Sequence, residues 1–426
     1  MENKFARFIV PSIISSVVLG TFSIIDGLFI GNKIGDIGLA AINYAYPITA
    51  FIQSVGFGLG IAGSVAMSVN KAKDNVNKYI STTYFLFIIL TLIMMCLFIP
   101  FDTKLLVLFG ASGKTLNIAK EYLDSIIYFS IFHVLAQGLV PILRNMGYNK
   151  TVMVSVVLSL ICNLFLDYLF IYPLNMSLFG AALATNIAQI VPTVFCIIVL
   201  LFKKNRVKLT FDFKISLTLF KNSLSPFGVS FATNIVIIII NKACSLYASD
   251  QAVAAYTATA YITYIVQKLI QGVCDGVQPL LSLSKGENDK ASLKSYFIKS
   301  LVLSLIIALA STIISIILNT KLGVLFGLSS EALIYFKDAL IIFSISFVGQ
   351  GITRSIMSYF YSKENNLFSS IITYGEPIGV LIFAYALPAS FGINGIWLSI
   401  PFTHYILSFV AIILILIDNK KEYRKE

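Results

Sequence analysis

The sequence contains few charged residues. Asp, Glu, Lys and Arg make up 12% of its 426 residues, and hydrophobic residues make up 58%. A soluble domain has about 25% charged and about 45–50% apolar residues. Apolar runs of about 20 residues recur along the whole chain, which is typical of membrane-spanning helices. The strands of a membrane barrel would instead alternate over roughly 10 residues, and the sequence does not. The composition therefore predicts an all-α polytopic membrane protein embedded in a lipid bilayer.

Cysteine and histidine are also scarce. The five cysteines all lie in apolar segments and none has a paired spacing such as CxxC, so the sequence predicts neither disulfides nor a zinc site. The only histidines are His133 and His404, which argues against a histidine-based metal centre. The apolar segments contain no clustered His/Asp or Ser/Lys constellation of the kind that an enzyme would need. We therefore predict no enzymatic activity and no cofactor.

Positive charge outweighs negative charge, with a formal net charge of +11. If the N-terminus is cytoplasmic, the cytoplasmic segments hold 22 Lys and Arg residues and the outer segments hold 7. The positive-inside rule then predicts a multi-pass protein of the cell inner (cytoplasmic) membrane, with both termini in the cytoplasm. The basic excess orients the chain, so binding to nucleic acid is not needed to explain it.

Twelve apolar spans divide into two sets of six. The largest polar break separates the sets, so we predict an N-terminal lobe at 1–202, a cytoplasmic linker at 203–222 and a C-terminal lobe at 223–426. The first span is too long for a signal peptide and lacks a small-residue cleavage pattern, so we expect it to remain as a helix. The predicted spans are 8–30, 38–69, 79–100, 121–143, 152–172, 180–202, 223–247, 252–283, 296–318, 334–361, 367–388 and 394–417.

The two halves are related in sequence. Residues 103–112 and 320–329 are identical at eight of ten positions, and further landmarks recur at offsets of 212 to 217 residues. Because each half has an even number of spans, both halves enter the membrane in the same orientation. The pattern predicts two parallel six-helix repeats, an architecture typical of transporters whose lobes rock about a central site. Channels and enzymes can also arise by duplication.

One carboxylate lies inside the first span. Asp26 is the only charged residue between Phe8 and Ile30. A carboxylate in hydrocarbon costs about 2.5–3.5 kcal/mol on insertion scales, so such a residue usually faces a cavity or a partner. The alternative is that Asp26 lies near the outer end of its helix and reaches water. Its counterpart in the second half is Asn241, so this charge belongs to one lobe only.

The fifth and sixth spans supply polar partners. Asn163 and Asp167 are four residues apart and therefore share one helix face. Thr185 adds a hydroxyl in the sixth span, after small residues that let neighbouring helices approach closely. Such oxygens suit a cation, and two carboxylates in a low dielectric cannot both stay charged and unpaired. In the alternative, Asn163 bonds a neighbouring backbone and Asp167 lies at the outer interface.

The second half carries its own charges within the predicted spans, at Lys268, Asp275, Arg354 and Glu376. Glu376 lies roughly where the repeat places the counterpart of Asn163. Two interpretations remain open. Either these charges neutralise one another, or one acid meets a cationic substrate. Glu376 and Asp275 are therefore the candidate substrate-binding residues.

Pro11 is the candidate hinge. It lies early in the first span, as Pro226 does in the seventh. Proline removes a helix hydrogen bond and kinks a helix. A kinked first helix could bend as its carboxylate changes charge. The alternative is that Pro11 lies near the helix start, where proline is harmless.

Several segments together resemble the multidrug and toxic compound extrusion (MATE) transporters of bacteria. They are residues 25–31 with the run from 39 to 47, residues 143–150, residues 179–185 and residues 276–280. The resemblance covers the whole chain and implies the twelve-helix MATE fold. In that family a first-span Asp, a fifth-span Asn and Asp and a sixth-span Thr form the coupling-cation site. The resemblance therefore implies this role, and a Na+ site if the ion is a metal, for Asp26, Asn163, Asp167 and Thr185.

These observations lead to one functional prediction. We expect a monomeric antiporter, coupled to Na+ or H+, that exports hydrophobic, cationic small molecules. Relatives often carry an acidic residue where this chain has His404, so site assignments in the C-terminal lobe do not transfer. The alternative function is a flippase for a lipid-linked oligosaccharide. A flippase would be expected to line its cavity with Arg and Lys, and only Lys268 and Arg354 lie within the spans.

Overall fold

The computed structural model describes residues 2–71, 76–202, 209–247, 250–325, 328 and 330–423. Over these residues the chain forms helices, a short 3-10 turn at Ile99–Phe101 and no strand, which confirms the predicted all-α class. The helices are α1 (Glu2–Ile34), α2 (Asp36–Val69), α3 (Val76–Phe98), α4 (Asp102–Leu108), α5 (Gly113–Tyr128), α6 (Ser130–Asn145), α7 (Asn149–Ile171), α8 (Ser177–Leu201), α9 (Phe213–Tyr247), α10 (Asp250–Gly286), α11 (Lys290–Leu325), α12 (Ser330–Ser362), α13 (Asn366–Ala386), α14 (Pro388–Phe391) and α15 (Ile393–Tyr423).

Ten helices in the described part of the chain are long and apolar enough to cross a membrane. α5 and α6 meet the same length and hydropathy conditions as a pair and are bent by 56° at the break between them. Each of the twelve predicted spans coincides with one of these helices, with the bent pair or with α10. α10 is long but less apolar, because it carries polar residues such as Lys268, Gln271 and Asp275. The arrangement is consistent with the predicted twelve-helix fold.

Large apolar side chains cover the outer faces of several helices. On α3, Leu92 and Leu97 are exposed, and on α11 the exposed residues include Ile306, Ile313 and Ile317. Exposed apolar side chains of this kind are expected where helices contact lipid.

The chain forms two compact units, Met1–Phe231 and Ala232–Glu426, here called unit 1 and unit 2. The division falls inside α9 because the N-terminal part of that helix packs with unit 1. The predicted linker at 203–222 overlaps the start of α9, and residues 203–208 lie outside the described residues. The lobe boundaries at 1–202 and 223–426 therefore stay a prediction.

Glycines allow α2 to pack closely against α6 within unit 1. A Cβ atom on Gly56 would lie 2.4 Å from the carbonyl oxygen of Val134, and one on Gly60 would lie 2.4 Å from that of Gly138. No side chain larger than hydrogen fits at these two positions without a backbone shift. α6 also packs against α8, so this close contact helps to place the bent pair beside α8.

A single tryptophan lies at the centre of unit 2. Trp397 on α15 has no exposed surface. Its ring stacks on Tyr256 of α10 with centroids 6.3 Å apart and meets Phe343 of α12 edge-on at 6.0 Å. Aromatic contacts of this geometry add about 0.5–1.5 kcal/mol beyond area burial. They join α10, α12 and α15 into one core.

Candidate cation site

Three helices of unit 1 bring together the four residues predicted to hold the coupling cation. α1 packs against α7, and α8 packs against both. The side chains of Asp167, Asn163 and Thr185 all interact with the carboxylate of Asp26. Asn163 and Asp167 have no exposed surface, and Thr185 is 7% exposed. Asp167 therefore does not lie at a solvated interface, and Asp26 has polar partners inside the helix bundle.

Five polar atoms of this cluster make no hydrogen bond. The Oδ1 atom of Asp26, both carboxylate oxygens of Asp167 and both amide atoms of Asn163 are buried without a hydrogen-bond partner. These five atoms therefore keep their hydrogen-bonding capacity for a ligand. Asn163 therefore does not bond a neighbouring backbone.

Unpaired groups of this kind are exceptional, because buried polar atoms are almost always hydrogen-bonded. Each one costs about 1–3 kcal/mol. Here the unpaired atoms are mainly acceptor oxygens that converge from α1 and α7. Two carboxylates, one amide oxygen and a nearby hydroxyl form a donor set suited to a hard cation, and the carboxylates can equally accept a proton.

Tyr122 also belongs to this region, and sequence reasoning missed it. It lies on α5, is 7% exposed, and is within electrostatic range of both Asp26 and Asp167. Its phenol O–H can donate a hydrogen bond to a carboxylate. Tyr122 is the second residue of the predicted fourth span, and no pattern in the sequence distinguished it from the other tyrosines. The packing of α5 on α2 and α8 turns the face with Tyr122 towards the carboxylates.

A buried hydrogen-bond network is centred on Asn186, the residue that follows Thr185. Asn186 donates through Nδ2 to the carbonyl oxygen and the hydroxyl of Ser125, at 3.1 and 2.9 Å. Its Oδ1 is therefore the acceptor for His133 Nε2, 2.8 Å away. His133 Nδ1 lies 3.4 Å from Gln53 Nε2 and accepts from it. The network thus assigns His133 as a neutral imidazole with its proton on Nε2.

This network ties four helices together, since its members lie on α2, α5, α6 and α8. It holds the two halves of the bent pair, through Ser125 and His133, against α8. Asn186 follows Thr185 in the chain, so the network also fixes the rotation of α8 at the cluster. The signal for this network in the sequence is the presence of two polar residues, His133 and Asn186, within apolar spans.

Pro11 lies well inside α1, which begins at Glu2. The alternative that proline sits harmlessly at the helix start is therefore wrong. Proline lacks the N–H that would bond the carbonyl of Arg7, so one helix hydrogen bond is missing at this point. Ser15 donates its hydroxyl to the Pro11 carbonyl at 2.8 Å. α1 therefore carries a weak point on the same helix as Asp26, and its use as a hinge stays a prediction.

The two candidate substrate-binding acids lie in unit 2. Glu376 on α13 is 8% exposed, and its Oε2 lies 3.7 Å from an Arg354 nitrogen. Asp275 on α10 is 6% exposed and accepts a hydrogen bond from Gln271 at 2.7 Å. Charge neutralisation within the second half is thus observed for Glu376. Glu376 also lines a pocket of unit 2, whereas Asp275 is not among the residues that line it.

A family model described as MatE matches the chain twice, at residues 11–169 and at residues 226–385. The chain belongs to the MatE family. The two matches begin at Pro11 and Pro226, the positions that the sequence landmarks pair. The MatE model thus recognises each half separately, which agrees with the repeat read from the sequence.

Curated MatE relatives include two bacterial export proteins. Multidrug export protein MepA of Staphylococcus saprophyticus is 26% identical over 312 residues, which are 71% of this chain and 68% of that protein. MepA of Staphylococcus haemolyticus is 22% identical over 419 residues, 96% of this chain and 92% of that protein.

Solved MATE structures share the fold. An outward-facing multidrug resistance MATE family transporter of the MOP superfamily superposes with a TM-score of 0.91 at 22% identity, over 98% of this chain and 96% of that chain. A MATE protein in a bent conformation gives a TM-score of 0.90 at 20% identity, over 100% and 97%.

Proposed function

We propose that this MatE family protein is a Na+- or H+-coupled antiporter that exports small hydrophobic, cationic compounds across the cytoplasmic membrane. The curated relatives, which are named multidrug export proteins, support the export of drugs over the flippase alternative. The apolar outer faces and the family support a membrane location. We further propose that the chain acts as a monomer with both termini in the cytoplasm.

The observation that carries this proposal is the set of unpaired oxygens around Asp26. Two carboxylates that share a buried site cannot both remain ionised without a counter-ion. The Asp26 and Asp167 carboxylates would bind a proton or Na+ from the outside, with neutral oxygens from Asn163 and Thr185 completing the shell for Na+. Na+ is here a transported ion and not a resident cofactor.

Cation binding would act through α1. Neutralisation of Asp26 removes the repulsion between the two carboxylates and lets α1 repack against α7. Pro11 provides the point at which α1 can bend, because one backbone hydrogen bond is already missing there. This repacking would lower the affinity for the bound compound and allow its release outside, after which the return of the empty transporter would deliver the cation to the cytoplasm.

The test is dye efflux in everted membrane vesicles, with a pH gradient and a Na+ gradient imposed separately. We expect one of the two gradients to drive accumulation of a fluorescent cationic dye by vesicles that contain the wild-type protein. Asp26→Asn and Asp167→Asn should abolish gradient-driven transport and leave the amount of protein in the membrane unchanged. A response to neither gradient would contradict antiport.

Glu121→Gln is the matched control. Glu121 is an exposed carboxylate on α5 of the same unit, and it takes no part in the cluster. This variant should transport as the wild type does. Normal transport by both Asp variants would contradict the assigned role of the cluster.

A further inference from the structure

The side chain of Asn186 lies next to the candidate cation site but is bound to other helices. Asn186 follows Thr185 on α8 and has no exposed surface. Its Nδ2 donates to the backbone carbonyl and the hydroxyl of Ser125 on α5, at 3.1 and 2.9 Å. Its Oδ1 accepts from His133 Nε2 on α6 at 2.8 Å. Both amide N–H groups and the amide oxygen therefore have partners, and one side chain fixes the rotation of α8 against both arms of the bent pair.

The bond to Ser125 also affects Tyr122. Ser125 lies three residues after Tyr122 on α5, so the two side chains share one face of that helix. Tyr122 is within electrostatic range of both Asp26 and Asp167. Because Asn186 holds Ser125 at two points, α5 cannot turn about its axis without losing these hydrogen bonds. The placement of the Tyr122 phenol against the two carboxylates therefore depends on Asn186.

A second contact fixes α7 against α8, and it uses a carbonyl that proline leaves free. Pro192 lies inside α8 and has no N–H, so the carbonyl of Ala188, four residues earlier, lacks its usual helix partner. The Ser159 hydroxyl on α7 donates to this Ala188 oxygen at 2.6 Å. Ser159 lies four residues before Asn163 and shares its helix face. Ala188 lies three residues after Thr185, so this hydrogen bond sets the height of Asn163 relative to Thr185.

His133 acts in this arrangement as a neutral donor. It has no exposed surface, and its Nδ1 lies 3.4 Å from Nε2 of Gln53 on α2. Asn186 Oδ1 can only accept and Gln53 Nε2 can only donate, so Nε2 of the imidazole carries the proton. A neutral donor with amide partners has no charge with which to attract or repel a cation. The network therefore acts on the cation site through the positions of its helices.

We propose that four buried side chains outside the candidate cation site set the affinity of unit 1 for its coupling cation. These positioning residues are Ser125, His133, Ser159 and Asn186. They hold α5, α7 and α8 at the angles and heights at which the neutral oxygens of the site meet the two carboxylates. Residues that orient metal ligands typically change metal affinity by about 10–100-fold when they are replaced. The proposal rests on the antiport function proposed above and deepens it, because it concerns the same site.

The experiment measures the unfolding temperature of the purified full-length protein in detergent against Na+ concentration and against pH. A cation that binds only the folded state raises this temperature by mass action, so the curve gives an apparent affinity. If Na+ stabilises the wild type, we expect its affinity to fall at least about tenfold in Asn186→Leu and in Ser159→Ala. If protons stabilise the wild type, the midpoint of the pH response should move by at least about one unit, which is the same factor.

Thr312→Val in unit 2 is the matched control. The Thr312 hydroxyl on α11 donates to the backbone carbonyl of Ser344 on α12 at 2.7 Å, so this variant also removes a hydrogen bond between two helices. Its unfolding temperature should fall without a change in the cation response, because the four candidate ligands lie on α1, α7 and α8. A loss of stability alone is thus separated from a loss of cation affinity.

Two variants of His133 test the hydrogen bond itself. His133→Gln keeps an N–H donor for Asn186, whereas His133→Leu removes the donor and keeps an apolar side chain. We expect a cation response close to that of the wild type from His133→Gln. His133→Leu should respond as Asn186→Leu does. Equal cation responses of the two His133 variants would overturn the proposal.

The outcomes separate this proposal from the antiport function, with Asp26→Asn as the reference that removes a candidate ligand. If the wild type and Asp26→Asn respond alike to Na+ and to pH, the cluster does not bind the cation and both proposals fail. If Asp26→Asn loses the response while Asn186→Leu and Ser159→Ala keep wild-type affinity, only the positioning role is overturned. The unfolding transition of each variant shows in the same experiment that the variant is folded.

Discussion

At the scale of single residues, Asp26 and Asp167 place two carboxylates beside each other, and three of their four oxygens are buried without a hydrogen-bond partner. A buried group that destabilises the fold is a candidate functional group. In Na+-free buffer at high pH, Asp167→Asn should therefore raise the free energy of unfolding by about 1–2 kcal/mol, because it removes a buried, repelled charge.

This stability effect can be measured by thermal or denaturant unfolding in detergent. The same variant should lose gradient-driven transport, so that greater stability accompanies loss of function. A strong decrease in stability would show that the Asp167 carboxylate has a favourable partner in the folded protein, contrary to the geometry described here.

A second residue-scale prediction concerns a buried ion pair at the ends of α12 and α15. Lys363 Nζ lies 2.7 Å from Asp418 Oδ2, and Asn365 donates to Asp418 Oδ1 at 3.0 Å. Asp418→Ala removes the Asp418 carboxylate from beside the buried ammonium group, so we expect a loss of about 3–5 kcal/mol in unfolding free energy.

The double variant Lys363→Met with Asp418→Leu is the control for this pair. Because it replaces both charges with apolar groups, it should recover most of the stability that the single variant loses. If Asp418→Ala unfolds at the wild-type temperature, the pair contributes nothing and the prediction fails.

The sequence predicts which side chains lie together when those residues share one helix. Asn163 and Asp167 are one turn apart, so their common face could be predicted without knowledge of packing. Contacts between helices could not be predicted in the same way. The approach of Arg354 and His404 to Glu376 depends on the rotation of α12 and α15 about their axes, and many rotations fit the same apolar pattern.

At the scale of the helices, the contact between α2 and α6 depends on glycine. Gly56→Ala would bring a Cβ atom to 2.4 Å from the Val134 backbone oxygen, which cannot move without moving α6. We expect a loss of about 1–3 kcal/mol in stability from this overpacking, measured by thermal unfolding.

Gly31→Ala provides the matched comparison on α1. Its new Cβ atom would lie 3.3 Å from the flexible Leu39 side chain, which can give way. The two variants should therefore differ clearly in unfolding temperature. Equal effects would mean that the approach of α2 to α6 is not limited by Gly56.

The apolar runs predicted the positions of the helices well, but not their interruptions. The fourth span is bent at Phe129, and residues 114–137 around that point contain no proline or glycine. The two arms of the bend are instead joined to α8 by Ser125, His133 and Asn186. Such a bend is set by tertiary hydrogen bonds, so local sequence patterns do not reveal it.

At the scale of the whole molecule, the excess of Lys and Arg on one side predicts the orientation of the chain in the membrane. A green fluorescent protein fused after residue 426 should fluoresce, and an alkaline phosphatase fused at the same place should be inactive, because both would lie in the cytoplasm. The opposite pair of results would reverse the assigned topology.

Duplication gave the whole molecule two similar halves, and the family model matches both of them. The halves nevertheless differ in charge, since Asn241 takes the place of Asp26. Unit 1 holds the Asp26 cluster, and unit 2 holds the Glu376 pocket. The carboxylate proposed to bind the coupling cation therefore has no acidic counterpart in the second half.

The most direct test of the central claim is cation binding by the purified protein, measured as the change in unfolding temperature with Na+ concentration and with pH. A cation that binds only the folded state stabilises it by mass action. Wild type and Glu121→Gln should be stabilised by added Na+ or by protons, and Asp26→Asn and Asp167→Asn should have lost that part of the response. Responses identical to wild type in both Asp variants would contradict the claim that this cluster binds the coupling cation.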